Sequence, residues 1–185
     1  MNKDNFRVYL RALEPEDYKT TYNWRQDEEY QNGIVSQKRY ISLNTEKKWV
    51  ESVINRHESG SEIRLAIALK ENNEIIGLEY LTHIDHVNRK ANEAYLIGNK
   101  NHRGFGYAYE ARIIMLEYAF NQLNLNKIYA KVLDYNLASK KSLLKFGYKH
   151  EATLKEEVYK NGKYNDLEIY TIFKEQFIYK YLSNE

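Results

Sequence analysis

The chain has 185 residues, a formal charge of +2, 43% hydrophobic and 14% aromatic residues including 18 Tyr, and no Cys. That is enough for one domain spanning 1–185 with a real core, too aromatic for a disordered segment and too nearly neutral for a protein that coats nucleic acid. Disulfides and thiolate metal sites are excluded, as fits a reducing cytoplasm; residues 1–18 are too charged for a signal peptide, and the apolar runs are too short to cross a membrane.

Taken in chain order, the pattern is mixed α and β. Phe6, Val8 and Leu10 alternate with Arg7, Tyr9 and Arg11, a half-buried strand. Pro15, the single proline, suits the first turn of a helix over about 15–25. A second helix is expected over 45–56, capped by Asn44 or Thr45. The runs IRLAIALK and EIIGLEYLTHID read as a hairpin turning at residues 71–73, and residues 91–98 as a further strand.

A long helix follows from about 107 to 123. Ala108, Ala111, Met115, Tyr118 and Ala119 share one face, and Glu110, Glu117 and Asn121 the other. NKIYAKVL is a strand and NLASKKSLLKFG a short helix, with Asn136 as N-cap and Gly147 as its stop. Two closing strands flank Asn161-Gly162, the strongest hairpin signal in the chain.

The stretch NHRGFGYAYEA, Asn101 to Ala111, carries the first chemical signal. Gly104 and Gly106 stand between a strand and a helix, so consecutive amides there point out of a helix N-terminus, where anions bind. Arg103 adds a fork of donors suited to phosphate. The dinucleotide fingerprint would need a third glycine where Tyr109 stands, and the nucleoside-triphosphate loop needs Gly-Lys-Ser/Thr; both are missing. A plain strand-to-helix turn is the competing reading.

Residues 103–108, Arg-Gly-Phe-Gly-Tyr-Ala, resemble the Arg/Gln-x-x-Gly-x-Gly/Ala pyrophosphate loop of the GNAT family of N-acetyltransferases. The likeness runs from about Arg7 to Phe173, through LRALEPEDY, GLEYLTHIDHVNRKANEAYLIG and LNKIYAKVLDYNLASKKSLLKFGYKHEATLKEEVYKNGKYNDLEIYTIF, and is similar to the branch of ribosomal-protein and spermidine N-acetyltransferases. The resemblance implies an α+β fold whose mostly antiparallel sheet is splayed between its fourth and fifth strands. Acetyl-CoA would lie in the gap, with its pyrophosphate on the amides of Arg103, Gly104, Phe105, Gly106, Tyr107 and Ala108, its pantetheine arm along the strand ending near Ile97, and a contact from Asn136. It implies direct acetyl transfer to a primary amine, with no metal.

Direct attack needs a deprotonated amine, a donor to the oxyanion and an acid for the departing thiolate. His83 falls where spermidine acetyltransferases of this branch carry a glutamate, and an imidazole titrates near neutral pH; the competing reading is a surface histidine beside Asp85 and His86. Those three lack further residues to complete a metal site. Glu79 and Glu93 are secondary base candidates that alternate with apolar neighbours and read equally as solvent-facing. Where many members have a tyrosine acid, this chain has Leu143. Ser139 completes Asn136-x-x-Ser139, as in the ribosomal-protein branch, and is either the acid or a cap of the helix's first turn. Lys140, Lys141 and Lys145 read as a phosphate contact or a solvated face.

The acceptor is open between a small-molecule amine and a peptide amine. Asp27, Glu28 and Glu29 would suit a polyamine, while Tyr22, Trp24, Tyr30 and Trp49 would line a pocket for another amine or belong to the core. The rival reading is a non-catalytic CoA-binding or regulatory domain on the same fold. Homo-oligomerisation is open.

Overall fold

A computed structural model of the chain describes residues 3–182. These form seven strands: β1 (Val8–Ala12), β2 (Ile63–Leu69), β3 (Ile75–Asp85), β4 (Lys90–Ile97), β5 (Lys127–Leu133), β6 (Lys149–Lys160) and β7 (Lys163–Phe173). The helices are α1 (Tyr18–Trp24), α2 (Glu28–Gly33), α3 (Leu43–Glu58), α4 (Tyr107–Glu117), α5 (Leu137–Phe146) and α6 (Lys174–Phe177). One sheet takes the strands in the order β1-β2-β3-β4-β5-β7-β6.

Every neighbouring pair is antiparallel except β4 and β5. That parallel pair is short. Lys90, Ala91 and Asn92 lie beside Lys127, Ile128 and Tyr129, and there the pairing stops. Beyond it, residues 93–97 stay with β3 and residues 130–133 stay with β7, but the two segments part from each other. The sheet is therefore split between its fourth and fifth strands, the architecture the family resemblance implies.

Local chemistry explains most of the boundaries. Asn136 caps α5 through the Ser139 amide at 3.1 Å, and Gly147, at φ 120°, ends it. Asn161 and Gly162 both have positive φ, as a two-residue hairpin turn requires. Two expectations shift. The cap of α3 is Ser42, which accepts from the Thr45 amide, so the helix starts before Asn44. Residues 28–33 form α2, a turn and a half capped by Asp27, in a stretch too polar to show a periodic apolar face.

Helix α4 covers one face of the sheet. Met115 and Ala119 are buried with Ile128, Leu143 and Phe146 in the larger core, and Ala111 in a smaller one with Val8, Ile67 and Ile76. Tyr118 departs from the expected face: a π-helical turn over Tyr118–Gln122 follows α4, and Tyr118 is 39% exposed. On the opposite face, Trp24 of α1 and Val53 of α3 pack against Ala66 and Leu78. A Cβ on Gly98 would lie 1.9 Å from the Trp24 ring, so only glycine lets the indole reach the sheet.

Glu79 and Glu93 do not face solvent. Both are 0% exposed and project toward α4, where Arg112 is only 2% exposed. The alternation along β3 and β4 marks two faces, but this sheet is covered on both, so polar positions are buried as well.

Candidate active site

The loop before α4 is shaped by two glycines in the left-handed region, Gly104 at φ 83° and Gly106 at φ 89°. An L side chain at either position is strained whatever space surrounds it. Arg7 fastens the loop from below: its Nη2 donates to the Phe105 carbonyl at 2.9 Å and its Nε to Glu110 at 2.8 Å, while its guanidinium stacks on Tyr107. Among the described residues, the amides of Gly104, Phe105, Gly106, Tyr107 and Ala108 donate to no protein acceptor. Five open donors at the mouth of an 11-residue helix suit a pyrophosphate.

Arg103 does something different from the expected phosphate fork. Its Nε donates to the Ile97 carbonyl and Nη2 to the Gly98 carbonyl, at 3.0 and 3.1 Å. The same guanidinium pairs with Asp27 at 2.8 Å and Glu29 at 2.7 Å. It is a strut that ties the end of β4 to the N-terminus of α2. Asp27 and Glu29 are thus already paired with a cation, Glu29 through a side chain that stays 82% exposed. With Glu28 they line a separate groove of about 990 Å³ beside Trp24 and Gly98.

A cleft of about 380 Å³ runs through the split in the sheet. One bank is β4, with Glu93, Tyr95 and Leu96; the other is β5, with Ala130, Lys131 and Val132. Asn136, Ser139 and Leu143 of α5 close one side. On the opposite side the mouth is formed by Arg25, Tyr30, residues 33–36, Trp49, Arg64 and Tyr80. Residues 34–36 are held there by Lys160, whose ammonium donates to the carbonyls of Gln31 at 2.6 Å, Ser36 at 3.0 Å and Ile34.

Under the cleft sits a buried charge cluster. Arg112 donates to Glu93 at 2.9 Å, and the Tyr148 hydroxyl donates to the other Glu93 oxygen at 3.2 Å. Burial first, and then the neighbouring Glu93, push the Glu79 carboxyl well above the usual carboxylate range. Burial opposes the Arg112 charge, but Glu93 more than restores it, so that pKa is raised. Glu79 is therefore held as the neutral acid, beside the ion pair that Arg112 makes with Glu93. Of the Glu pair, only Glu93 lines the cleft.

The α5 bank separates two roles that the sequence leaves tied. Asn136 is the cap, and its amide nitrogen donates to the Gly33 carbonyl at 3.0 Å, linking α5 to α2. Ser139 receives the cap through its backbone, so its side chain is not the capping group. Its hydroxyl has no protein partner among the described residues and lines the cleft. Leu143 is buried in the core at the cleft floor. The lysines differ too: Lys140 is held by Glu168 at 2.7 Å and by the Asp134 carbonyl.

His83 lies elsewhere. It is exposed at φ 52°, in the bulge that shifts the β3–β4 register between Thr82 and Asp85, and its ring sits 3.2 Å from the Thr82 hydroxyl. It is not part of the cleft lining. Asp85 accepts from Asn88, and no cluster able to hold a metal occurs among the described residues.

Sequence reasoning missed Tyr95, Arg112, Arg25, Arg64 and Tyr80, all in the cleft. Tyr95 carries the phenol on β4, its hydroxyl donating to Ser142 at 3.3 Å. Of the aromatics left between pocket and core, Tyr30 and Trp49 line the cleft and Trp24 is core.

Comparison with known proteins agrees with this geometry. The acetyltransferase (GNAT) domain model matches residues 7–149. An N-acetyltransferase called p20 from Bacillus licheniformis is 28% identical over 92% of this chain and 95% of its own length. The spermidine N(1)-acetyltransferase of Vibrio cholerae is 28% identical, covering 94% of this chain and 97% of that protein. A crystal structure of the Vibrio cholerae spermidine N-acetyltransferase with CoA and spermine superposes with a TM-score of 0.82, at 27% identity over 93% of this chain and 98% of that one. The chain belongs to the GNAT acetyltransferase family.

Proposed function

We propose that the chain transfers an acetyl group from acetyl-CoA to a primary amine within the cleft between β4 and β5, by direct attack with both substrates bound. Two observations support this reading: the open amides of residues 104–108 at the start of α4, and the cleft through the split sheet with Tyr30, Trp49 and Tyr80 at its mouth. Acetyl-CoA supplies the thioester; the residues of this chain bind, orient and handle protons.

Glu93 is the carboxylate of the cleft, and proton acceptance from the amine, through water, falls to it, because Glu79 already holds its own proton. The proton passes from the ammonium nitrogen to the Glu93 carboxylate, leaving a neutral amine and a neutral carboxyl, so the site's total charge does not change. Arg112, directly beneath, disfavours a second cation and so promotes loss of the proton from the amine. The Ser139 hydroxyl is the open donor on the α5 bank and the candidate acid for the thiolate.

The test is release of free CoA thiol from acetyl-CoA by the purified protein across a panel of amines, with acetyl-CoA affinity measured separately by calorimetry. Amine-dependent thiol release is expected. Tight acetyl-CoA binding without release for any amine would replace this reading with a non-catalytic CoA-binding domain.

A further inference from the structure

The acceptor mouth is cationic. Arg25, Arg64, Arg112 and Lys131 line the cleft, against the single carboxylate of Glu93, which Arg112 and Tyr148 already hold. The carboxylates nearby are engaged elsewhere. Glu46, fully buried and not part of the lining, accepts from Arg25 Nε at 2.9 Å. Glu62 lies 3.0 Å from Arg56 and 3.4 Å from Arg64. Asp27 and Glu29 are bound by Arg103.

The guanidiniums, by contrast, keep unpaired donors. Arg64 stacks 4.2 Å from the centroid of Tyr80 and 5.4 Å from that of Trp49, and Arg25 lies 4.7 Å from Trp49. Stacking fixes the plane of a guanidinium and leaves its edge for a planar anion. Among the described residues, the terminal nitrogens of Arg64 donate to no protein acceptor, and its Nε is buried with only the long contact to Glu62. Lys131 is exposed and makes no ion pair among the described residues. A polyamine would bring further positive charge to this mouth and find no open carboxylate to meet it.

We propose that the acceptor is a primary amine that also carries a carboxylate, held by the edge of Arg64 with Arg25 beside it, rather than a polyamine. This rests on the acetyl-transfer reading and adds the acceptor's chemical class. Two sources offer that chemistry, a free amino acid and a short peptide with an acidic residue near its amine. The N-terminal amine reacts in either case, its nitrogen bonding to the acetyl carbon as the sulfur departs and the proton passes to the cleft.

The experiment compares three acceptor classes with acetyl-CoA: free amino acids and acidic tripeptides, the same compounds with each carboxylate converted to amide, and spermidine. Thiol release gives the kinetics. Binding of the non-reacting partners is followed by tryptophan fluorescence in CoA-loaded protein, since Trp49 lies at the site. Carboxylate-bearing amines should exceed their amides by roughly 10- to 100-fold in kcat/KM or affinity, the range for a hydrogen bond to a charged group. Arg64→Met should collapse that ratio toward one, and Arg64→Lys should restore part of it; calorimetry with acetyl-CoA checks that each variant is folded. Amino acids and tripeptides are told apart by which shows the larger ratio. Spermidine turned over better than every carboxylate-bearing amine, or acids and amides treated alike, overturns the proposal while leaving acetyl transfer intact. Lack of both turnover and carboxylate binding overturns it as well. Loss of acetyl-CoA binding itself would instead strike the underlying function.

Discussion

The proposed cofactor loop and the proposed acceptor mouth are built by different means. In the loop the determinants are backbone: five open amides, two glycines at positive φ and a helix start, all within residues 103–108. At the mouth of the cleft they are side chains from four distant elements: Arg25 after α1, Trp49 on α3, Arg64 on β2 and Tyr80 on β3. A backbone cradle requires local sequence and changes little with side-chain identity. A side-chain box depends on packing and on which charges are already paired, so the same fold can offer it to different amines.

The comparison is most sharply tested at Ser139, where both kinds of construction meet. Its amide belongs to the helix cap and its hydroxyl to the cleft. Ser139→Ala should keep the melting temperature of the parent, because the capping group is Asn136, and should lower turnover by about 10²-fold, the low end for general acid catalysis. A lost melting temperature with intact turnover would reverse the assignment.

The buried pair gives a pH signature. The folded state holds a proton on Glu79 that the unfolded chain releases near its ordinary value of about 4.3. That contribution to stability is complete below the unfolded value and is lost as pH rises toward the raised folded value. Glu79→Gln keeps a neutral side chain whose amide can donate to Glu93. Its stability advantage should therefore vanish near pH 4 and grow with pH, at up to about 1.4 kcal/mol per unit. Thermal melts of both proteins from pH 4 to 8 measure it, and an advantage that shrinks as pH rises contradicts the buried neutral acid.

At the backbone end, Gly106→Val forces a β-branched residue into the left-handed region, at a cost of about 1–2 kcal/mol. Since Gly106 precedes the first residue of α4, the loop should move rather than the core, and acetyl-CoA affinity should fall by about tenfold or more with the fold retained. Calorimetry on the folded variant decides it, and unchanged affinity would remove the loop from the site. The smallest effect is expected at His83. Outside the cleft lining and exposed, it should be replaceable by Ala with turnover within about twofold, because surface substitutions away from a site are usually small. Loss of the acidic limb of the pH–rate profile in that variant would return it to the reaction.

What was legible in the sequence follows the same divide. The 104–106 glycines and the Asn136 cap are each carried by a motif within a few residues, the split sheet was implied by the family resemblance over most of the chain, and all are present. Glu79, Glu93 and Arg112 were not, because their meaning depends on both faces of the sheet being covered. Arg103 was misread as a free fork since nothing local shows that Asp27 and Glu29, more than 70 positions earlier, reach it. His83 stands where the resembled branch carries a glutamate, yet a bulge after Thr82 turns the strand there and leaves it in solvent.

Amide hydrogen exchange with and without saturating acetyl-CoA tests the central claim, that the cofactor lies on the α4 loop and in the split between β4 and β5, most directly. Slowed exchange concentrated at residues 104–108 and along 93–97, the stretch of β4 that no longer pairs with β5, is the predicted result. Saturated binding that leaves both segments unchanged and protects another part of the chain would contradict it.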